Sequence, residues 1–79
     1  MNQKEKVISI LKELSGQSEI HENDHLESDL GIDSLGMVTL LVTLEEMLAI
    51  QLEEADMDPF TLETVEDVIV LAERYSHES

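Results

Sequence analysis

The chain contains no cysteine. That excludes a disulfide framework, a thiolate metal site and a side-chain sulfur nucleophile, so any thiol chemistry has to be imported. Aromatic residues are limited to Phe60 and Tyr75, which leaves Leu, Ile, Val and Met to pack the interior. No apolar run approaches the length of a membrane span, and the opening Met1-Asn2-Gln3-Lys4-Glu5-Lys6 lacks the apolar core of a signal peptide. A cytoplasmic protein without membrane contact is therefore expected. No segment alternates in polarity as a strand would, and no internal repeat or low-complexity tract is present. Seventy-nine residues make one domain, 1–79, with the ordered part expected over about 3–75. A core built from so few side chains predicts a marginal, mobile domain.

Basic residues are also scarce. Four Lys and Arg stand against nineteen Asp and Glu, for a formal net charge of −15. Lys4, Lys6 and Lys12 lie near the start and Arg74 near the end, so Glu13 through Glu73 holds seventeen acids and no Lys or Arg. Such a surface repels nucleic acid and anionic membrane, weakens its own fold by self-repulsion and attracts partners with basic patches.

What is present is helical periodicity. Val7, Ile8, Ile10, Leu11 and Leu14 fall at three- and four-residue spacings, which predicts an amphipathic helix over about 3–15 that stops at Gly16. Residues 17–33 read as a long loop pinned to the core by Ile20, Leu26, Leu30 and Ile32. A second helix is expected from Leu35 to about Ile50. Turning about 100° per residue gathers Met37, Leu40, Leu41, Leu44, Met47 and Leu48 in one sector, assigned to the core. Leu35, Val38, Val42 and Ala49 collect in another, together with Glu45 and Glu46 and bordering Ser34. Val38 and Val42 are surplus to a one-faced helix and predict an apolar docking patch with a charged rim.

Past Gln51 the pattern breaks, and Glu53 to Met57 allows one short helical turn with Pro59 stopping it. Thr64-Val65-Glu66-Asp67 has the form of a capping box. It predicts a last helix from Val65 to about Tyr75 with Val65, Val68, Ile69, Leu71 and Ala72 inward, Tyr75 closing the bottom of the core and Ser76–Ser79 fraying. The expected fold is all-α: a small four-helix bundle, three main helices plus one short one, with a long first loop.

The chemistry concentrates at Asp29-Leu30-Gly31-Ile32-Asp33-Ser34-Leu35-Gly36-Met37, where that loop meets the second helix. Asp33 and Ser34 are both good helix caps. The helix start leaves N–H groups unpartnered and carries the positive end of the dipole, so an anionic group attached at Ser34, such as a phosphodiester, would be favourably placed. A serine that only caps its helix is the plain alternative.

Asp33-Ser34-Leu35, with Leu30-Gly31 just before it, resembles the attachment motif of acyl carrier proteins and their peptidyl carrier relatives, and the resemblance extends along the chain. It implies that Ser34 is esterified by 4'-phosphopantetheine, transferred from coenzyme A by a phosphopantetheinyl transferase. The thiol of that arm would carry an acyl or aminoacyl group as a thioester to loading and downstream enzymes with basic docking patches. On that reading the chain is a monomeric carrier and not an enzyme, with Asp33, Leu35, Val38, Val42, Glu45 and Glu46 facing partners. Gly36 and Thr39 stand where fatty-acid carriers typically have acids. This points to a polyketide, nonribosomal peptide or other specialised acyl pathway, with fatty-acid synthesis as the alternative within the family. Gly36 also lowers helix propensity, by about 1 kcal/mol relative to alanine, which predicts a loose first turn.

Other readings fit the residues less well. A hydrolase nucleophile elbow needs glycine two positions before the serine, where Ile32 stands, and His21, His25 and His77 fall on a loop and a tail rather than around a cleft. Asp24, Glu27, Asp29 and Asp33 suggest calcium, but an EF-hand counted from Asp29 puts Ser34 at the glycine position and Leu40 at the bidentate acid. Diffuse divalent binding is expected without a defined metal site. From a different class, a non-covalent acidic adaptor or nucleic-acid mimic would make Ser34 dispensable.

Overall fold

The structure, a computed structural model, describes residues 3–58 and 61–75. Helix α1 spans Gln3–Ser15, α2 spans Ser34–Leu48, a short 3-10 helix spans Glu54–Met57 and α3 spans Val65–Tyr75. The helical order expected from the sequence is present, with the short element as a single 3-10 turn. Among the described residues there is no strand; one isolated bridge pairs His25 with Thr64.

α1 packs against both α2 and α3, burying Val7, Ile10 and Leu11, with Ile8 half-buried at the edge. Its stop is local. Gly16 adopts φ +75 and donates its N–H to the Lys12 carbonyl at 2.9 Å, a left-handed cap that a side chain would strain. Leu14, expected inward, is 37% exposed. It lies in the last turn, where the neighbouring elements cover it only in part.

The long loop is ordered by the residues expected to pin it. Leu26, Leu30 and Ile32 are buried and Ile20 packs against the core. The chain coils tightly around Leu26: the Asp29 and Leu30 N–H groups donate to the His25 carbonyl and the Ile32 N–H to the Leu26 carbonyl. The loop also acts as a strap. Val65 and Glu66, at the start of α3, donate their N–H groups to the Asp24 and Glu22 carbonyls at 3.0 and 2.9 Å, so the loop satisfies donors that the helix cannot. Lys4, from α1, forms an ion pair with the Glu22 carboxylate, which joins the strap to the first helix.

The remaining α3 donors are met by the predicted capping box. Thr64 Oγ1 accepts from the Asp67 N–H at 3.4 Å, and Asp67 Oδ2 accepts from the N–H groups of Thr64 and Glu63 at 3.1 and 3.0 Å. Val65, Val68, Ile69, Leu71 and Ala72 are all buried, as the spacing predicts. The expected stop at Pro59 and the expected fraying of Ser76–Ser79 lie outside the described residues.

α2 buries Met37, Leu40, Leu41 and Leu44, while Leu48 is half-buried. Two expectations are corrected here. The helix ends at Leu48 rather than Ile50, because Ala49 turns into the left-handed region at φ 55. Met47, assigned to the core, is 56% exposed, because it lies at the margin of the apolar sector in the last turn. Beyond the turn Leu52 returns to the core, and the 3-10 segment is tied to α3. The Tyr75 hydroxyl donates to Asp56 Oδ2 and accepts the Glu53 N–H at 3.0 Å, and Arg74 Nη2 reaches Asp56 Oδ1 at 3.2 Å.

Candidate functional site

The site begins with the way the loop delivers the chain to α2. Gly31 at φ +72 and the buried Ile32 bring Asp33 in with extended backbone, φ −84 and ψ −173. From there Asp33 Oδ1 accepts the Gly36 N–H at 2.8 Å and the Asp33 carbonyl accepts the Met37 N–H at 2.8 Å. Asp33 is thus the N-cap and Ser34 the first helical residue. Of the two candidate caps it is the aspartate that serves, which releases the serine hydroxyl from that task. Ser34 is exposed, and its N–H and that of Leu35 have no acceptor within the helix.

Gly36 is better anchored than its propensity suggests. Besides donating to Asp33, it faces Ile32 so closely that a Cβ added there would lie 2.9 Å from Ile32 Cγ2 and 3.3 Å from Asp33 Oδ1. The absent side chain makes room for the buried isoleucine. The first turn is held rather than loose.

Beside Ser34 lies a groove of about 410 Å³ between the loop, the start of α2 and the segment before α3. Leu26, Ile32, Met37 and Leu62 supply its apolar surface, and Glu27 and Glu63 are on its polar margin. An exposed hydroxyl, free backbone donors at a helix N-terminus and an adjoining groove fit a phosphodiester followed by a slender arm. Leu35, Val38 and Val42, the sector expected to face partners, are 75%, 46% and 42% exposed, Glu46 is exposed on the same helix and Ala49 is exposed just past its end. Glu45 differs from the expectation for that sector. It is half-buried, and its Oε2 accepts the Leu52 N–H at 2.8 Å.

The acids of the loop are occupied separately. Asp24 Oδ2 accepts the His21 N–H at 2.9 Å and Asp29 Oδ2 the His25 N–H at 2.7 Å. With Glu27 and Asp33 they form no group of three or more metal-binding side chains among the described residues. His21 Nδ1 lies 3.8 Å from Asp24 and His25 Nδ1 lies 3.6 Å from Asp29, each an exposed pair within the loop rather than a partner for Ser34. At the opposite end, the Tyr75 phenol is held above its ordinary pKa, chiefly because the hydrogen bond it donates to Asp56 is lost on ionisation. Two features had no signal in the sequence strong enough to name them: the Glu45 to Leu52 link and the Tyr75, Asp56 and Arg74 cluster. The position of Glu45, next to the core sector of α2, was the one available hint.

No helix among the described residues is long and apolar enough to cross a membrane. Residues 5–70 match the family described as the phosphopantetheine attachment site. The acyl carrier protein of Chlamydia caviae is 39% identical over 71 residues, covering 87% of this chain and 90% of that one. The acyl carrier protein of Thermotoga maritima is 34% identical over 71 residues, 87% of this chain and 85% of its own. In three dimensions the fold is that of a crystal structure of an acyl carrier protein from Thermotoga maritima, with a TM-score of 0.75 at 19% identity over 92% of this chain and 89% of that one. With a family match over most of its length and relatives this similar, the chain belongs to the acyl carrier proteins, which bear a 4'-phosphopantetheine prosthetic group and carry acyl groups rather than catalyse reactions.

Proposed function

We propose that Ser34 bears the 4'-phosphopantetheine arm, and that this single carrier domain works as a cytoplasmic monomer delivering acyl or aminoacyl thioesters in a specialised polyketide, nonribosomal peptide or other acyl pathway. The observation that carries the attachment reading is the division of labour at the start of α2. Asp33 caps the helix through Gly36, and the neighbouring serine hydroxyl stands exposed at the first helical position. A modifying enzyme can therefore reach it without opening the core.

The arm supplies the thiol that the chain lacks. The chain's own residues do the rest. The free donors and dipole of the α2 N-terminus favour a negative group at Ser34. Leu35, Val38 and Val42 offer an apolar patch for successive enzymes, and Asp33 and Glu46 border it with negative charge that steers basic partners. A patch of this size suits brief docking, and a tether makes each transfer after docking nearly intramolecular. The specialised pathway is supported by Gly36 and Thr39, which stand where fatty-acid carriers typically have acids.

Incubation with coenzyme A and a broad-specificity phosphopantetheinyl transferase, followed by intact mass measurement, tests the attachment. The chain is expected to gain one phosphopantetheine and Ser34→Ala to gain none; a folded wild-type chain that gains nothing refutes the reading. For the pathway, the modified protein is expected to accept malonyl groups poorly from a fatty-acid-type malonyl transferase. Loading as fast as a fatty-acid carrier would return it to fatty-acid synthesis.

A further inference from the structure

Glu45 and Glu46 stand side by side in the last turn of α2, which holds no basic side chain. Acids there face the negative end of the helix dipole, so neither is placed to help the helix. Their surroundings differ. Glu45 Oε2 accepts the Leu52 N–H at 2.8 Å, and the Glu45 carbonyl accepts the N–H groups of Ala49 and Ile50. One residue thus holds three donors of the reversal that follows the helix. That reversal needs holding, because it places an alanine at φ 55 and brings Leu52 back into the core at 6% exposure. Glu46 is exposed. At about 100° per residue it falls on the side of Leu35 and Val42, whereas Glu45 falls at the edge of that strip, between Val38 and the buried Leu41.

We propose that Glu45 is a positioning residue, which fixes the exit of α2 through the Leu52 N–H, and that the docking face carries a single helix carboxylate, that of Glu46. From Ser34 to Leu44 eleven consecutive residues are uncharged, in a chain of net charge −15. The partner that fits the helix face is therefore an enzyme with an apolar patch flanked by basic groups, opposite Asp33 and Glu46. Charge supplies its direction of approach, and the apolar strip supplies most of the contact.

Three variants of the full chain separate the two glutamates. Glu45→Gln removes the charge but keeps an oxygen that can accept the Leu52 N–H, Glu45→Ala removes both, and Glu46→Gln removes only a charge. Thermal unfolding followed by circular dichroism is expected to show Glu45→Ala melting about 4–8 °C lower, with Glu45→Gln and Glu46→Gln within about 3 °C of wild type. In modification by the transferase with coenzyme A at low salt, Glu46→Gln is expected to lose about two- to fivefold in kcat/KM and Glu45→Gln nothing. The Glu46→Gln deficit should vanish at high salt. Glu45→Ala as stable as wild type, Glu45→Gln as slow as Glu46→Gln, or Glu46→Gln as fast as wild type each overturns the proposal. The rate measurement rests on Ser34 being the attachment residue. A wild-type chain that is not modified refutes that reading instead, and the melting temperatures then decide this proposal by themselves.

Discussion

Replacing Gly36 by alanine sets two effects of similar size against each other at the site. In a helix interior alanine is favoured over glycine by about 1 kcal/mol, so propensity alone predicts a more stable protein. Packing predicts the reverse. The new Cβ would lie 2.9 Å from Ile32 Cγ2 and 3.3 Å from Asp33 Oδ1. Ile32 is β-branched and 5% exposed, so its Cγ2 methyl cannot swing aside unless the whole side chain turns in a filled core. Overpacking of this kind costs about 1–3 kcal/mol. If the Asp33 carboxylate gives way as well, part of a cap worth about 1 kcal/mol is lost. Packing wins, with a net loss of about 1 kcal/mol, equivalent to a melting temperature lower by about 4–8 °C in a domain of this size.

The assay is urea unfolding followed by circular dichroism, where this loss moves the midpoint down by roughly 1 M or less. The cause can be isolated by repeating the substitution in an Ile32→Ala background. With the opposing methyl gone, Gly36→Ala should become neutral or stabilising by up to about 1 kcal/mol. A higher midpoint in the single variant, or the same loss in both backgrounds, would refute the steric account. The consequence reaches the face proposed for docking, since an aspartate at position 36 carries the same Cβ. This chain cannot acquire the acid of the fatty-acid type at that position without disturbing Ile32.

Two further predictions concern the charges. Tyr75 has its pKa raised above the ordinary value of 10.0 in the folded state, so its contribution is fully present below the unfolded value and is lost as pH rises through the folded one. Melting temperature should therefore fall on going from about pH 9 to about pH 11, and Tyr75→Phe should melt lower at neutral pH yet lose less on alkalinisation; an identical alkaline decline in the variant would exclude the phenol as a source. Lys4, raised by its hydrogen bond to Glu22 and by that carboxylate's charge, adds to the same limb and persists in the variant. Millimolar magnesium or calcium should raise the melting temperature in low-salt buffer by relieving the repulsion of a −15 chain, without a stoichiometric site, and a flat response would remove the idea.

The sequence by itself determined what rests on short-range signals. The α1 stop at Gly16 and the capping box at Thr64 and Asp67 each depend on residues three or four positions apart, and both were legible with their boundaries. The inward set of α3 and the exposed strip of Leu35, Val38 and Val42 follow from helical periodicity in the same way. So does the placing of Ser34 at a helix start. Tertiary structure decided what depends on residues far apart in the chain. That α2 ends at Leu48 follows from Leu52 joining the core shared with α1 and α3, with Glu45 seven residues earlier holding its N–H, so that alanine accepts a backbone conformation usually left to glycine. Met47 and Leu14 are exposed because periodicity gives the direction of a side chain and says nothing about whether a neighbour covers it. The first donors of α3 are met by carbonyls some forty residues earlier, at Glu22 and Asp24, and Asp56 is claimed by Arg74 and Tyr75. Such pairings form only when the folded core has brought distant segments together, and no pattern of nearby residues encodes them.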